Sequence, residues 1–166
     1  MQYLSTYMSP LGEMLIAAED NGLVGLWFQG AKHYAAGLNA HCEHKETALI
    51  TQTKMWLDEY FAGREPTFTP QLAPHGTPFQ MEVWELLRNV PYGKTTTYGE
   101  IANAIAKRHG APRMSAQAVG GAVGSNKISL IIPCHRVVGA NNSLVGYAAG
   151  TDKKAYLLQM EKVGKI

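Results

Sequence analysis

"TTYGEIANAIAKRHGAPRMSAQAVGGAVG", residues 96–124, is the stretch on which the fold turns. Thr97 followed by Glu100 has the spacing of a capping box, in which the two side chains satisfy orphaned backbone N–H groups at a helix start. A short helix is therefore expected through Ala106, and the basic run "KRHGAPRM" reads as a connecting loop. A second helix begins near Ser115 and runs through "AQAVGGAVG", whose alanines and glycines leave almost no side-chain bulk. Two short helices joined by a loop, with Lys107, Arg108 and Arg113 ahead of the second, predict a helix-turn-helix. The same small residues also suit a helix packed tightly inside a core, so taken alone the pattern leaves both readings open.

Working upstream, "TPFQ" (residues 77–80) is another helix start, with Thr77 as N-cap, Pro78 at the first helical position and Gln80 closing a capping box. Phe79, Val83, Leu86, Leu87 and Val90 mark its buried face. "REPTFTPQLAPHGTP" (residues 64–78) is rich in proline and turn residues and reads as a linker. Before it, Leu49, Thr53, Trp56, Leu57, Tyr60 and Phe61 follow helical spacing from Thr47 to Phe61, with Gly63 as C-cap. Residues 31–46 are polar, and a short helix is one reading of them. The first 30 residues read as a β-meander, with turns at Ser9-Pro10-Leu11-Gly12 and Asp20-Asn21-Gly22, where Asn-Gly should supply positive φ. The expected architecture is an α/β N-terminal lobe (residues 1–76, a small antiparallel sheet plus a helix). A mainly α C-terminal lobe (residues 77–166) follows, with a helix-turn-helix of winged-helix type.

The chain has 166 residues, 46% hydrophobic and 17% charged, enough for one core or for two small lobes sharing an interface. No apolar run approaches the ~18 residues of a membrane span, and no basic-then-apolar leader follows Met1. A cytoplasmic protein without a membrane partner is the expectation. The net charge of +2 conceals a division: residues 1–78 hold four Lys/Arg against eight Asp/Glu, residues 79–166 eleven against five. Such asymmetry points the second half toward a polyanion, although a merely solvated basic surface looks the same.

Two cysteines, Cys42 and Cys134, are too few for a disulfide framework. Cys42 lies in "HCEH" (residues 41–44), where His41 and His44 have no second cysteine pair, so a polar loop is expected and no metal. Cys134 lies in "IIPCHRVVG" (residues 131–139), between Pro133 and His135-Arg136. A free thiol has a pKa near 8.5, so only a few per cent is thiolate at neutral pH unless a base or cation helps. His135 can take the proton directly or through a water, and a carboxylate behind it would fix its tautomer. Glu161, in "LLQMEK", is a carboxylate within the same lobe. A small buried cysteine beside a surface histidine is the bland alternative.

"PCHRV", with an asparagine eight residues before the cysteine and "GYAAG" and "KAYLL" with its glutamate after it, resembles the O6-alkylguanine-DNA alkyltransferase family. The resemblance covers residues 77–162 and extends more weakly through the N-terminal lobe, where it implies a ribonuclease H-like fold. It implies that Cys134 takes the alkyl group from O6 of guanine in double-stranded DNA, once and without cofactor. His135 and Glu161 would form a water-mediated relay, Asn126 would brace the turn, and Tyr98 would hydrogen-bond guanine N3. The N–H of Ala148 would meet O6, the carbonyls of Cys134 and Val137 the exocyclic amine, and Tyr147 would line the pocket.

DNA contacts would come from Ser115, Ala116, Gln117, Gly120 and Arg136, with the second helix in the minor groove and the nucleotide flipped out. O4-alkylthymine is a further substrate to consider, and a monomer is expected. The sequence departs from the family pattern at Gln117, where an intercalating arginine is usual, and at Asn126-Lys127, where Asn-Pro is usual. Two other classes remain open: a sensor that binds alkylated DNA without repairing it, and a Cys-His hydrolase, which would turn over.

Overall fold

The computed structural model describes residues 1–164. The alternating N-terminal runs form β1 (Gln2–Ser9), β2 (Gly12–Glu19) and β3 (Gly22–Phe28), paired antiparallel in sequence. Residues 31–46 do not form a helix: turns lead into a three-residue strand, β4 (Cys42–His44), parallel to β1 at the sheet edge. The order is β3-β2-β1-β4, so the sheet is antiparallel except at that edge. The first hairpin turns on Gly12, with φ 114°. Asn21-Gly22 does not use positive φ; Gly22 is needed because a Cβ there would stand 2.8 Å from Ala73.

The sheet is buried on both faces. Met14, Ile16, Ala18, Leu23, Leu26 and Phe28 enter the main core. Leu4, Leu15, Ala17, Val24 and Trp27 form a second cluster beneath the loop carrying Ala35 and Leu38. Alternation sends β3 side chains to both faces, and the register shift at Ala17/Ala18 lets Leu23 and Leu26, three residues apart, enter the same core.

Helix α1 (Ala48–Phe61) lies against the sheet, with Thr47 accepting from the Ile50 N–H. It ends in a Schellman turn, Gly63 N donating to Tyr60 O and Arg64 N to Glu59 O, with Gly63 at φ 83°. The proline-rich stretch after it is laid down rather than loose. Leu72 pairs with Leu23, and near the far end of β3 Leu26 bridges to Ile128. The outer edge of β3 is thus covered by the linker and by the segment leading to Cys134, which answers the hazard of an open edge.

The C-terminal lobe holds α2 (Pro78–Arg88), α3 (Tyr98–Arg108), α4 (Ala116–Gly124) and α5 (Thr151–Val163). Strands β5 (Thr96–Thr97) and β6 (Val137–Val138) pair in parallel. The Thr77–Gln80 capping box is complete. That at Thr97 is half made: Thr97 caps the Glu100 N–H, but the Glu100 carboxylate turns to Thr96 Oγ1 at 3.0 Å. Helix α3 runs to Arg108, two residues beyond the expected Ala106. Val83, Trp84, Leu87, Ile105, Val119, Val123, Leu157 and Met160 share one core with α1 and the sheet. Each large apolar side chain so buried contributes roughly 1.5–3 kcal/mol, and the two lobes form one packed body. No described helix is long and apolar enough to cross a membrane.

Candidate active site

The segment after α4 is shaped by Asn126. Its side-chain amide donates to the Ile132 carbonyl at 2.8 Å and to that of Ile128 at 3.3 Å, while its oxygen accepts from the Ile128 N–H at 3.0 Å. The loop so folded carries buried Leu130 at φ 71°, a conformation that costs a non-glycine residue of order 1 kcal/mol and is held here by its surroundings. Pro133 then enters a 3-10 turn, Cys134–Arg136, all of it buried. Two adjacent side chains of this turn, His135 and Arg136, converge on one carboxylate of α5.

That carboxylate is Glu161. Its Oε2 meets His135 Nε2 at 2.5 Å and accepts from Tyr60 Oη at 2.6 Å and Arg136 Nη2 at 3.2 Å. Its Oε1 accepts from Arg136 Nε at 2.8 Å and from the Gly93 N–H at 3.1 Å. Burial alone would raise Glu161, but the bonds from His135 and Arg136 and their charges bring it to about 2. With Glu161 ionised, His135 carries its proton on Nε2, and its buried Nδ1 has no partner among the described residues. Burial holds His135 below its ordinary range, with Glu161 opposing. Burial likewise pushes the Cys134 thiol up, while a hydrogen bond from Asn126 and the charge of Lys154 pull it down. At rest, then, Cys134 is a thiol, and its proton has to be removed when it reacts.

Arg136 is the correction. It was expected on the DNA surface; instead its guanidinium is buried, paired with Glu161, bonded to the Val90 carbonyl at 2.8 Å and set 5.6 Å from the Tyr92 ring. Three of its five N–H donors are engaged inside the protein, one on each nitrogen, and its burial and its pairing with Glu161 keep the group off the phosphate-facing surface.

Cys134 opens onto a cavity of about 440 Å³ whose wall includes Tyr98, Gly120, Asn126, Tyr147 and Ala148, a volume within the ~300–1,000 Å³ usual for small-molecule sites. The Tyr147 hydroxyl is buried without a hydrogen-bond partner among the described residues. Val137 lies outside this wall, buried in β6, and its N–H bonds the Cys134 carbonyl. A larger cavity, about 800 Å³, lies between α2 and α3 beside Glu82 and His109 but has no cysteine in its wall. Ser115, Ala116 and Gln117 form the exposed first turn of α4. Gly120, one turn on, faces Tyr98, whose ring atoms would lie 3.9 Å from a Cβ there.

Four residues escaped the sequence reading. Tyr60 reaches Glu161 from the N-terminal lobe. Lys32 and His33, from the loop after β3, stand at the cavity rim, and the Lys32 N–H bonds the Ala148 carbonyl at 2.9 Å. Lys154 is fully buried and donates to the carbonyls of Val145 and Gly146 at 2.8 and 3.1 Å; burial brings it down to about 8, with Cys134 opposing. Its position seven residues, about two α5 turns, before Glu161 was the available signal. On the sheet edge, the Cys42 thiol donates to the Asn39 carbonyl at 2.9 Å, far from this chemistry in sequence and element.

Residues 78–163 match the 6-O-methylguanine DNA methyltransferase DNA-binding domain, and residues 2–74 the ribonuclease-like domain of the same family. The methylated-DNA–protein-cysteine methyltransferase of Methanosarcina acetivorans is 42% identical over 159 residues, covering 96% of this chain and 97% of that protein. The constitutive Bacillus subtilis protein of the same name is 40% identical, covering 98% and 97%. Mycobacterium tuberculosis OGT, solved in complex with DNA, superposes with a TM-score of 0.84 at 37% identity, covering 98% of this chain and 94% of that one. By sequence over nearly its whole length, and by fold, the chain belongs to the 6-O-methylguanine DNA methyltransferase family.

Proposed function

We propose that this protein repairs DNA by direct reversal, moving an alkyl group from O6 of guanine to Sγ of its own Cys134. The observation that carries the reading is the cavity in which Cys134 faces Tyr98 and Tyr147, backed by the buried His135–Glu161 pair. The thiol proton passes to His135 Nδ1, directly or through a water. The thiolate attacks the alkyl carbon, an S–C bond forms, the C–O6 bond breaks, and its electron pair stays on guanine. Tyr98 supplies a hydrogen bond at N3 and the Ala148 N–H one at O6, where charge develops. Val137 keeps a role through its carbonyl, as an acceptor for the exocyclic amine. Asn126 braces the turn. The thioether product has no leaving group that water or thiol can displace, so the protein acts once.

Double-stranded DNA containing O6-alkylguanine is the partner. The exposed first turn of α4, Ser115 to Gln117, and Gly120 behind it, enter the minor groove with the nucleotide flipped out. The division of labour assigns residues 77–166 to DNA binding and alkyl acceptance and residues 1–76 to support, with the protein acting as a monomer in the cytoplasm. Intact mass after incubation with O6-methylguanine duplex tests the reading. A gain of one methyl, mapped to Cys134 and stoichiometric with demethylated DNA, is expected. An unchanged protein bound to its DNA would make it a sensor, and multiple turnovers a hydrolase.

A further inference from the structure

Tyr60 belongs to the lobe that carries neither the nucleophile nor the DNA-binding helices, yet its hydroxyl ends on the relay carboxylate. We propose that Tyr60 is a positioning residue for alkyl transfer, holding Glu161 on His135 against the pull of Arg136; the inference rests on Cys134 being the acceptor.

A carboxylate offers about four lone-pair sites. On Oε1 these are taken by the Gly93 N–H and Arg136 Nε, and on Oε2 by Tyr60 and His135, with Arg136 Nη2 sharing Oε2 at the longer distance of 3.2 Å. Arg136 is a permanent cation and a planar fork, and a full two-pronged pair is its preferred grip on a carboxylate. Shortening the Nη2 contact would draw Oε2 away from His135. The Tyr60 O–H, 2.6 Å from Oε2, opposes that movement without bringing charge. The phenol is itself rigidly placed. Its ring stacks on Trp56 with centroids 5.2 Å apart, meets Phe61 and Tyr92 edge-on, and lies 6.3 Å from the His135 ring. Tyr60 Oη also stands 3.4 Å from His135 Nε2, so phenol, imidazole and carboxylate meet at one buried point.

With the hydroxyl gone, Oε2 swings toward Arg136, the imidazolium at His135 loses its counter-charge, and thiolate at Cys134 is less favoured. Single-turnover transfer of methyl from O6-methylguanine duplex, followed across pH, reads this out. Tyr60→Phe keeps the ring packing and should slow transfer roughly tenfold at neutral pH, the size of one hydrogen bond to a charged group. It should also move the acid limb of the profile, where His135 takes up a proton, to lower pH, because the imidazolium has lost part of its counter-charge. In a Glu161→Gln background the same substitution should change nothing, because the carboxylate it positions is absent. Leu15→Ala, in the separate apolar cluster on the other face of the sheet, should lower the melting temperature and leave the profile in place. A Tyr60→Phe profile identical to the parent's, an undiminished effect without Glu161, or the same displacement in Leu15→Ala would each overturn the proposal. A parent that acquires no methyl on Cys134 would instead refute the underlying reading.

Discussion

Tyr98 Oη and Lys154 Nζ donate to the same pair of backbone carbonyls, those of Val145 and Gly146, the phenol at 3.1 and 3.4 Å and the ammonium at 2.8 and 3.1 Å. One donor comes from α3 and the other from α5, so the segment between β6 and α5 is strapped across the cavity mouth from both sides. The Tyr98 hydroxyl is therefore engaged before any base arrives, and turning to guanine N3 means leaving those carbonyls. Lys154 keeps the strap in place when it does.

Lys154→Met should accordingly raise amide hydrogen exchange over residues 144–148 and slow methyl transfer by roughly tenfold or more. In the parent, the cation beside Cys134 is lost as pH rises through about 8. Its help to the thiolate fades over that range, and the variant's profile should lack this step. Unchanged exchange in the strap would show that Tyr98 alone holds it.

Cys134→Ala should abolish transfer while leaving DNA binding largely intact, because the side chain removed is small and buried. Cys42→Ser should be nearly silent, since its thiol makes only local contacts at the sheet edge, to the Asn39 carbonyl and Gln2 Oε1. Peptide mapping of the alkylated protein decides the matter, and a label on Cys42 would reverse the assignment.

Glu161 ties acid stability to the relay. Its folded pKa of about 2 lies below the ordinary 4.5, so the stabilisation it brings is complete above pH 4.5 and is lost as pH falls toward 2. At ~1.4 kcal/mol per pKa unit this amounts to about 3 kcal/mol. Denaturant titrations of parent and Glu161→Gln should therefore differ most above pH 4.5, where the variant also strands a buried guanidinium. The difference should shrink steadily below it. A gap that stays constant down to pH 2 would mean the carboxylate is not held ionised.

Gln117, an uncharged side chain, sits on the exposed first turn of α4. If its side chain fills the gap left by the extruded guanine, it offsets a few kcal/mol of lost stacking and pairing without adding charge. Gln117→Gly should slow repair of duplex DNA and spare reaction with free O6-alkylguanine base. Gln117→Arg should match or exceed the parent on duplex at low salt, with the advantage fading as salt screens the charge. Equal losses on duplex and free base in Gln117→Gly would assign the residue to the pocket instead.

Features governed by neighbours in the chain were legible before the structure. Thr77 with Gln80, Ser115 at the head of α4 and Gly63 after α1 all act within a few residues, and the fold uses them as read. What was missed depends on distant partners. Strand β4 is only Cys42–His44 and exists because β1 lies beside it. Tyr60 read as a helix-face apolar residue, and nothing near it in sequence shows a hydroxyl aimed at Glu161, 101 residues on. Arg136 was given to DNA because a cation beside a reactive cysteine in a basic half invites that reading. Its carboxylate partner on α5 and the Val90 carbonyl withdraw it from the surface.

The two bridges on the outer edge of β3 bear on what happens if the chain is cut. Arg64, Glu65, Thr67 and Thr69 are exposed, offering a protease its best access to the linker. A nick there severs the peptide backbone but leaves Leu72 paired to Leu23, Ile128 paired to Leu26, and Tyr60 bonded to Glu161. The fragments should remain together as a native heterodimer of pieces, separable in denaturant but not by gel filtration, and the same site is where the gene could be divided to make a complementation reporter.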